Sequence, residues 1–121
     1  MSLLARFFKS REAVVPEVVL DPREGLMWQR THAPQKMTHD EAYAYCKSLR
    51  LDNHADWVLP TLGQMRRLLL SHRLRGEVSQ ADDVFWTSTP SDHSPTTAAC
   101  VSDGRSLPKT ERCYVRAVRH L

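Results

Sequence analysis

Hydrophobic positions recur at helical spacing in two stretches of the chain, each opened by the same polar signal. In the stretch WVLPTLGQMRRLLL, Leu62, Met65, Leu68, Leu69 and the following His72 share one face, while Gln64, Arg66, Arg67 and Arg73 lie largely on the other. Pro60 disfavours a helical Leu59, so an extended segment ends there. Thr61 and Gln64 have the spacing of a capping box, in which the hydroxyl accepts a first-turn amide and the glutamine reaches back. A helix is predicted to start at Thr61. Thr38 and Glu41 repeat that signal and launch another helix, along which Ala42, Tyr45, Cys46 and Leu49 face inward. Asp40 and Glu41 in its first turn, with Lys47 and Arg50 in its last, suit the helix dipole.

Other stretches read as strands and turns. VVPEVVL at 14 to 20 is β-branched, with Pro16 confining its first half to an edge or a lead-in, and the cluster Asp21 to Gly25 turns the chain into LMWQ, giving a hairpin. Residues 73 to 83 are polar and are expected as a surface connection. Val84 to Thr89 and AACVS are predicted strands, separated by the loop SDHSPTT and followed by a turn over 102 to 111. From Cys113 to Arg119 alternation predicts a strand with Tyr114, Arg116 and Val118 on one face. The expected class is α+β: two helices early, and an antiparallel meander at the end.

Residues 1 to 13 stand apart as an amphipathic segment preceding one domain over 14 to 121. Leu3, Leu4, Phe7 and Phe8 share a helical face, with Arg6, Lys9 and Arg11 turned away. Full burial would stabilise by about 1.5–3 kcal/mol per side chain, so that face is expected to be covered by its own domain, a docking partner, a membrane surface touched peripherally through residues 3 to 11, or a second copy.

Composition narrows the classes. With 121 residues, 41% hydrophobic and 26% charged, the chain reads as an ordinary globular domain. Seventeen basic against 14 acidic residues give a net charge of only +3, spread too evenly for a nucleic-acid footprint. No apolar run is long enough to span a bilayer, and MSLLARFFKSRE lacks the apolar core of a signal peptide. Cys46, Cys100 and Cys113 have no Cys-x-x-Cys spacing, so reduced thiols and a cytoplasmic setting are expected.

In order, the chain carries GLMWQ, EAYAYC, DWVLPT, FWTSTP and YVRAVR. This resembles the Lcl C-terminal domain family, whose members carry a Gly-Leu-Met-Trp segment, an Ala-x-x-Tyr-Cys helix, Trp-Arg-Leu-Pro-Thr, Trp-Ser-Ser-Thr and a final Tyr-Val-Arg-Cys-Val-Arg. The likeness runs from about residue 19 to residue 119. It implies a C-type lectin-like variant related to formylglycine-generating enzymes: two helices on a small twisted antiparallel sheet, with the chain ends close together. It also implies a bridge from the helix cysteine to a last-strand cysteine. Here Cys46 is present but Ala117 stands at the second position, so that bridge cannot form, and Val58 replaces the arginine usual before Leu-Pro-Thr.

Candidate chemistry is sparse. Cys100 and Cys113 could meet across neighbouring strands as in the related enzymes, but no ligand set accompanies them, and burial is the expected role. The six histidines lack metal-site spacing. Asp92 and His93, in a loop with Ser88, Ser91 and Ser94 nearby, are the nearest approach to an acid–histidine pair. The calcium-binding tripeptides of C-type lectins are absent, and Trp28, Trp57 and Trp86 sit among apolar neighbours as expected core residues. No catalysis, cofactor or metal is expected, a small enzyme related to the formylglycine-generating group being the remote alternative. The expected function is a bacterial protein-interaction or accessory module presenting loops 73 to 83, 90 to 97 and 102 to 111 on a fixed core. Its candidate partner-docking residues are Leu3, Leu4, Phe7 and Phe8, and its candidate ligand-binding residues are Asp92, His93, Arg105, Lys109 and Arg112. The alternative partner is a polyanionic or sulfated glycan held by the basic loop at Arg105, Lys109 and Arg112.

Overall fold

The computed structural model describes residues 16–79, 84–90, 97–100 and 106–121. Its elements are β1 (Val18–Asp21), β2 (Leu26–Gln29), α1 (His39–Ser48), α2 (Leu62–Leu70), α3 (His72–Glu77), β3 (Trp86–Pro90), β4 (Thr97–Cys100), β5 (Ser106–Pro108) and β6 (Val118–His120). The class is α+β, with two antiparallel three-stranded sheets, ordered β1-β2-β6 and β3-β4-β5.

The first sheet joins the two ends of the described chain. The β1–β2 hairpin turns at Gly25, whose φ of 67° lies in the left-handed region that glycine occupies without cost. Val19 and Val118 flank Trp28 in register from either side, which puts β6 next to β2 and leaves β1 at an edge. Because successive strand residues point to opposite faces, β2 divides the interior. Leu26 and Trp28 join Val19, Met65, Leu68, Leu74, Val78, Phe85 and Val118, whereas Met27 joins Ala42, Cys46, Trp57, Leu59, Trp86, Val115 and Ala117. Trp28, Trp57 and Trp86 are all buried, as expected.

Both capping boxes form. Thr38 accepts from Glu41 N and Glu41 Oε1 accepts from Thr38 N at 2.9 Å; Thr61 and Gln64 do the same, again with a 2.9 Å return bond. Several expectations are corrected. Residues 73 to 83 are not simply a connection, because His72–Glu77 forms a third helix. Leu69, within α2, is exposed; Ser71 ends α2, and its hydroxyl accepts from Leu74 N at 3.2 Å to cap α3, so the phase of the helix is reset there and His72 is exposed while Leu74 is buried. The turn at 102 to 111 contains strand β5.

The last segment is a regular strand only over Val118–His120, but its faces alternate as expected: Cys113, Val115 and Ala117 join the Met27 cluster, while Val118 and Tyr114 join the Trp28 cluster. Cys113, Val115, Arg116, Ala117 and Val118 are all buried, since the chain here is enclosed on both sides. Cys113 exchanges backbone bonds with Met37 at 2.8 and 2.9 Å, Ala33 N donates to Val115 O at 2.8 Å, and Gln29 N donates to Ala117 O at 2.9 Å. Tyr114 in turn bonds Val84 and Trp86, which ties the second sheet to the first. Arg116 is only 2% exposed. Its guanidinium donates to Gln29 O at 2.9 Å, to Arg30 O at 2.5 Å and to both oxygens of Ser79, and its planar fork is what allows one side chain to hold three backbone carbonyls. Gln29 itself is satisfied, accepting from Ala117 N at 2.9 Å and donating to the Tyr45 hydroxyl at 2.7 Å.

Candidate functional site

A cleft of about 380 Å³ opens between α1 and the returning segment 55–59. Its shape follows from a tight reversal just after α1. Asp52 and Asn53 adopt φ of 53° and 62°, the left-handed pair that a two-residue reversal of the type I′ kind requires, and these residue types tolerate it best. Leu51 and His54 close the turn with reciprocal backbone bonds of 3.2 and 3.0 Å. Arg50 caps the end of α1 by donating to Lys47 O and Leu49 O at 3.1 and 3.0 Å. The chain therefore runs back alongside the helix it has just left.

That returning segment is extended, and its side chains alternate. Trp57 and Leu59 are 2% and 3% exposed, with Trp57 Nε1 donating to His54 O at 3.2 Å, whereas Val58 between them is 49% exposed. From the helix side, Ala42 and Cys46 point into the core and Tyr43, Ala44 and Lys47 border the cleft. The lining is accordingly apolar: Tyr43, Ala44, Cys46, Ala55, Trp57, Val58 and Leu59, with Lys47 and Asp56 as its charged members. Asp56 is matched within the fold, its two oxygens accepting from Arg119 Nε at 2.6 Å and Nη2 at 3.2 Å. The Arg119 hydrogen bond holds the Asp56 carboxyl below its ordinary range and raises the guanidinium in return. Burial pushes the Cys46 thiol up to about 12, so it is neutral at physiological pH and a poor nucleophile.

Of the residues expected to form a basic binding loop, Lys109 and Arg112 are placed beside the start of α1. Lys109 O accepts from His39 N at 3.1 Å, and Arg112 Nη1 forms an ion pair with Glu41 Oε1 at 3.0 Å. Arg112 is thus engaged in holding the β5 hairpin to the helix. Arg105, Asp92 and His93, together with Leu3, Leu4, Phe7 and Phe8, lie outside the described residues, as does the Cys100 side chain. Ser88, from the same candidate group, donates its hydroxyl to Pro60 O at 3.3 Å.

His39 escaped attention in the sequence. It is buried between Tyr43 and Trp86, with ring centroids 5.0 Å from each, and its Nε2 lies 3.1 Å from Thr87 O. Burial lowers its pKa, opposed by the Thr87 bond. The signal that could have found it is its place one residue after the Thr38 cap, where the first helical turn meets the core. For the cleft, the available signals were Asp52-Asn53 as a reversal and the alternation of an extended WVL.

Among the described residues, no three His, Cys, Asp or Glu side chains converge as a metal site would, and no helix is long and apolar enough to cross a membrane. No curated protein matches the chain at a significant level. The family model for the Lcl C-terminal domain matches residues 17–119, from the start of the first hairpin into the last strand. With that span covering most of its length, the chain belongs to the Lcl C-terminal domain family.

Proposed function

We propose that this domain is a non-catalytic binding module on a C-type lectin-like core, and that it engages a protein partner through the cleft between α1 and residues 55–59. The cleft itself carries the reading: an apolar concavity of about 380 Å³, with Tyr43 and Val58 both nearly half exposed at its mouth. Exposed apolar surface that is concave and rimmed by charge is where a partner's anchoring side chain gains most from leaving water. The neutral Cys46 thiol at the floor supports recognition over chemistry. Ala117 in place of the family's cysteine supports an accessory role in a reducing, cytoplasmic setting.

The polyanion alternative rests on Arg105, Lys109 and Arg112, and the Arg112–Glu41 pair lowers the charge that loop can offer. The test is an NMR titration of the full chain with indole as an apolar probe. Amide shifts are expected at residues 43–47 and 55–59, and to vanish in Val58→Arg. Shifts elsewhere, or shifts that persist in the variant, contradict the cleft as the binding surface.

A further inference from the structure

The cleft has a polarity as well as an apolar floor. Its two charged members are not equivalent. Asp56 already has both oxygens on Arg119 and presents a neutralised pair, whereas Lys47 is exposed and has no ion-pair partner among the described residues. Lys47 lies one turn after Tyr43 on α1, and the two side chains border the same cleft as Val58. A lysine in the last turn complements the helix dipole, yet that role is served at any exposed position there and does not require bordering a cavity. The result is an apolar pocket with one unmatched positive charge at its edge.

An occupant that brings an apolar group alone leaves that ammonium uncompensated as water is displaced around it, and a basic occupant is repelled. An occupant with a carboxylate beside its apolar group satisfies both features. Resting on the binding reading above, we propose that the cleft accepts an acidic segment of a protein partner, which inserts one apolar side chain against Val58 and Tyr43 and places a neighbouring Asp or Glu on Lys47. At about 380 Å³ the cleft is at the small end of the roughly 300–1,000 Å³ typical of ligand sites, a size suited to an anchoring side chain.

Selection of displayed random peptides on the immobilised full chain tests this, run in parallel on the wild type, Lys47→Glu and Val58→Arg, each confirmed folded by circular dichroism and thermal midpoint. The wild type is expected to enrich an aromatic or aliphatic residue within one or two positions of Asp or Glu. Lys47→Glu keeps the apolar residue, exchanges the acid for Lys or Arg, and binds the wild-type peptides about three- to tenfold more weakly, as befits a rim charge. Val58→Arg enriches neither. Apolar enrichment without charge bias, a preference for basic flanks, or an unchanged motif in Lys47→Glu overturns the acidic occupant while leaving the cleft as the surface. Enrichment of the same peptides by Val58→Arg overturns the cleft reading itself.

Discussion

Val58 and Val118 exchange both backbone hydrogen bonds, Val58 N donating to Val118 O at 2.8 Å and Val118 N to Val58 O at 3.0 Å. One partner is buried and the other is 49% exposed. The pairing fixes the register of the returning segment, and alternation along it buries Trp57 and Leu59 while Val58 borders the cleft. An apolar residue is thereby held in water by the register of its neighbours. Its replacement by a polar residue is predicted to cost the fold little, within about 0.5 kcal/mol as for exposed positions generally. A denaturant midpoint for Val58→Thr close to that of the wild type is the expected outcome.

Arg116 is predicted to be among the most sensitive positions. Its fork joins the end of β2 to the second residue beyond α3 through Gln29, Arg30 and Ser79, and removing it strips a donor from three interior carbonyls. Arg116→Met should lower stability by about 2–4 kcal/mol, and Arg116→Lys should recover only part of that because an ammonium cannot span the same acceptors. Urea unfolding of the two variants measures both.

The tryptophans are all interior but differ in what their indole N–H finds. Trp86 Nε1 donates to Met37 O at 2.8 Å and Trp57 Nε1 to His54 O at 3.2 Å, while Trp28 Nε1 is buried without a partner. Each Trp→Ala change should cost about 3–5 kcal/mol. Among Trp→Phe changes, Trp28→Phe should be milder than Trp86→Phe by about 1 kcal/mol, since only the latter forfeits a hydrogen bond. Equal losses would mean that the Trp86 bond contributes nothing net.

Stability should fall as pH drops below about 6.5. The His39 pKa is lowered by burial, so in that range the unfolded chain binds a proton that the native chain refuses, and protonation favours unfolding. Glu41 and Asp56, whose pKa values are also lowered by the Thr38 amide and by Arg119, act in the same direction but only at more acidic pH, where carboxylates titrate. His39→Gln should flatten the dependence between pH 7 and 5 and leave the acid limb below it. An unchanged slope in that variant would assign the effect to another group.

Cys46 should resist alkylation in the native state at pH 7.5 and react readily in denaturant, because burial holds its thiol neutral. Rapid native labelling of Cys46, followed by mass spectrometry, would show an accessible thiolate in the cleft and reopen a chemical role for it.

What could be read from the sequence was whatever depends on near neighbours. Thr38 with Glu41 and Thr61 with Gln64 announced both longer helices, because a cap is satisfied within four residues. The hairpin at Gly25 and the burial of the tryptophans followed from local composition in the same way. Helix α3 was hidden because HRLRGE is polar and carries Gly76, and its formation depends on the Ser71 cap and on Leu74 and Val78 reaching the Trp28 cluster. The alternation expected around Arg116 holds, with Val115 and Ala117 in one cluster and Tyr114 and Val118 in the other, but the burial of both faces was not legible because the elements that enclose this segment lie far away in sequence. The cleft was hardest to foresee, since Val58 inside WVL looks like interior until the register with Val118 is known.

Calorimetric titration of the tightest selected peptide against the wild type, Val58→Arg and Leu70→Arg tests most directly whether recognition belongs to the cleft. Leu70 is the control, being 82% exposed and outside the cleft. The predicted result is equal affinity for the wild type and Leu70→Arg, with at least about a tenfold loss, roughly 1.4 kcal/mol, in Val58→Arg. Unchanged affinity in Val58→Arg, or a loss confined to Leu70→Arg, would contradict it.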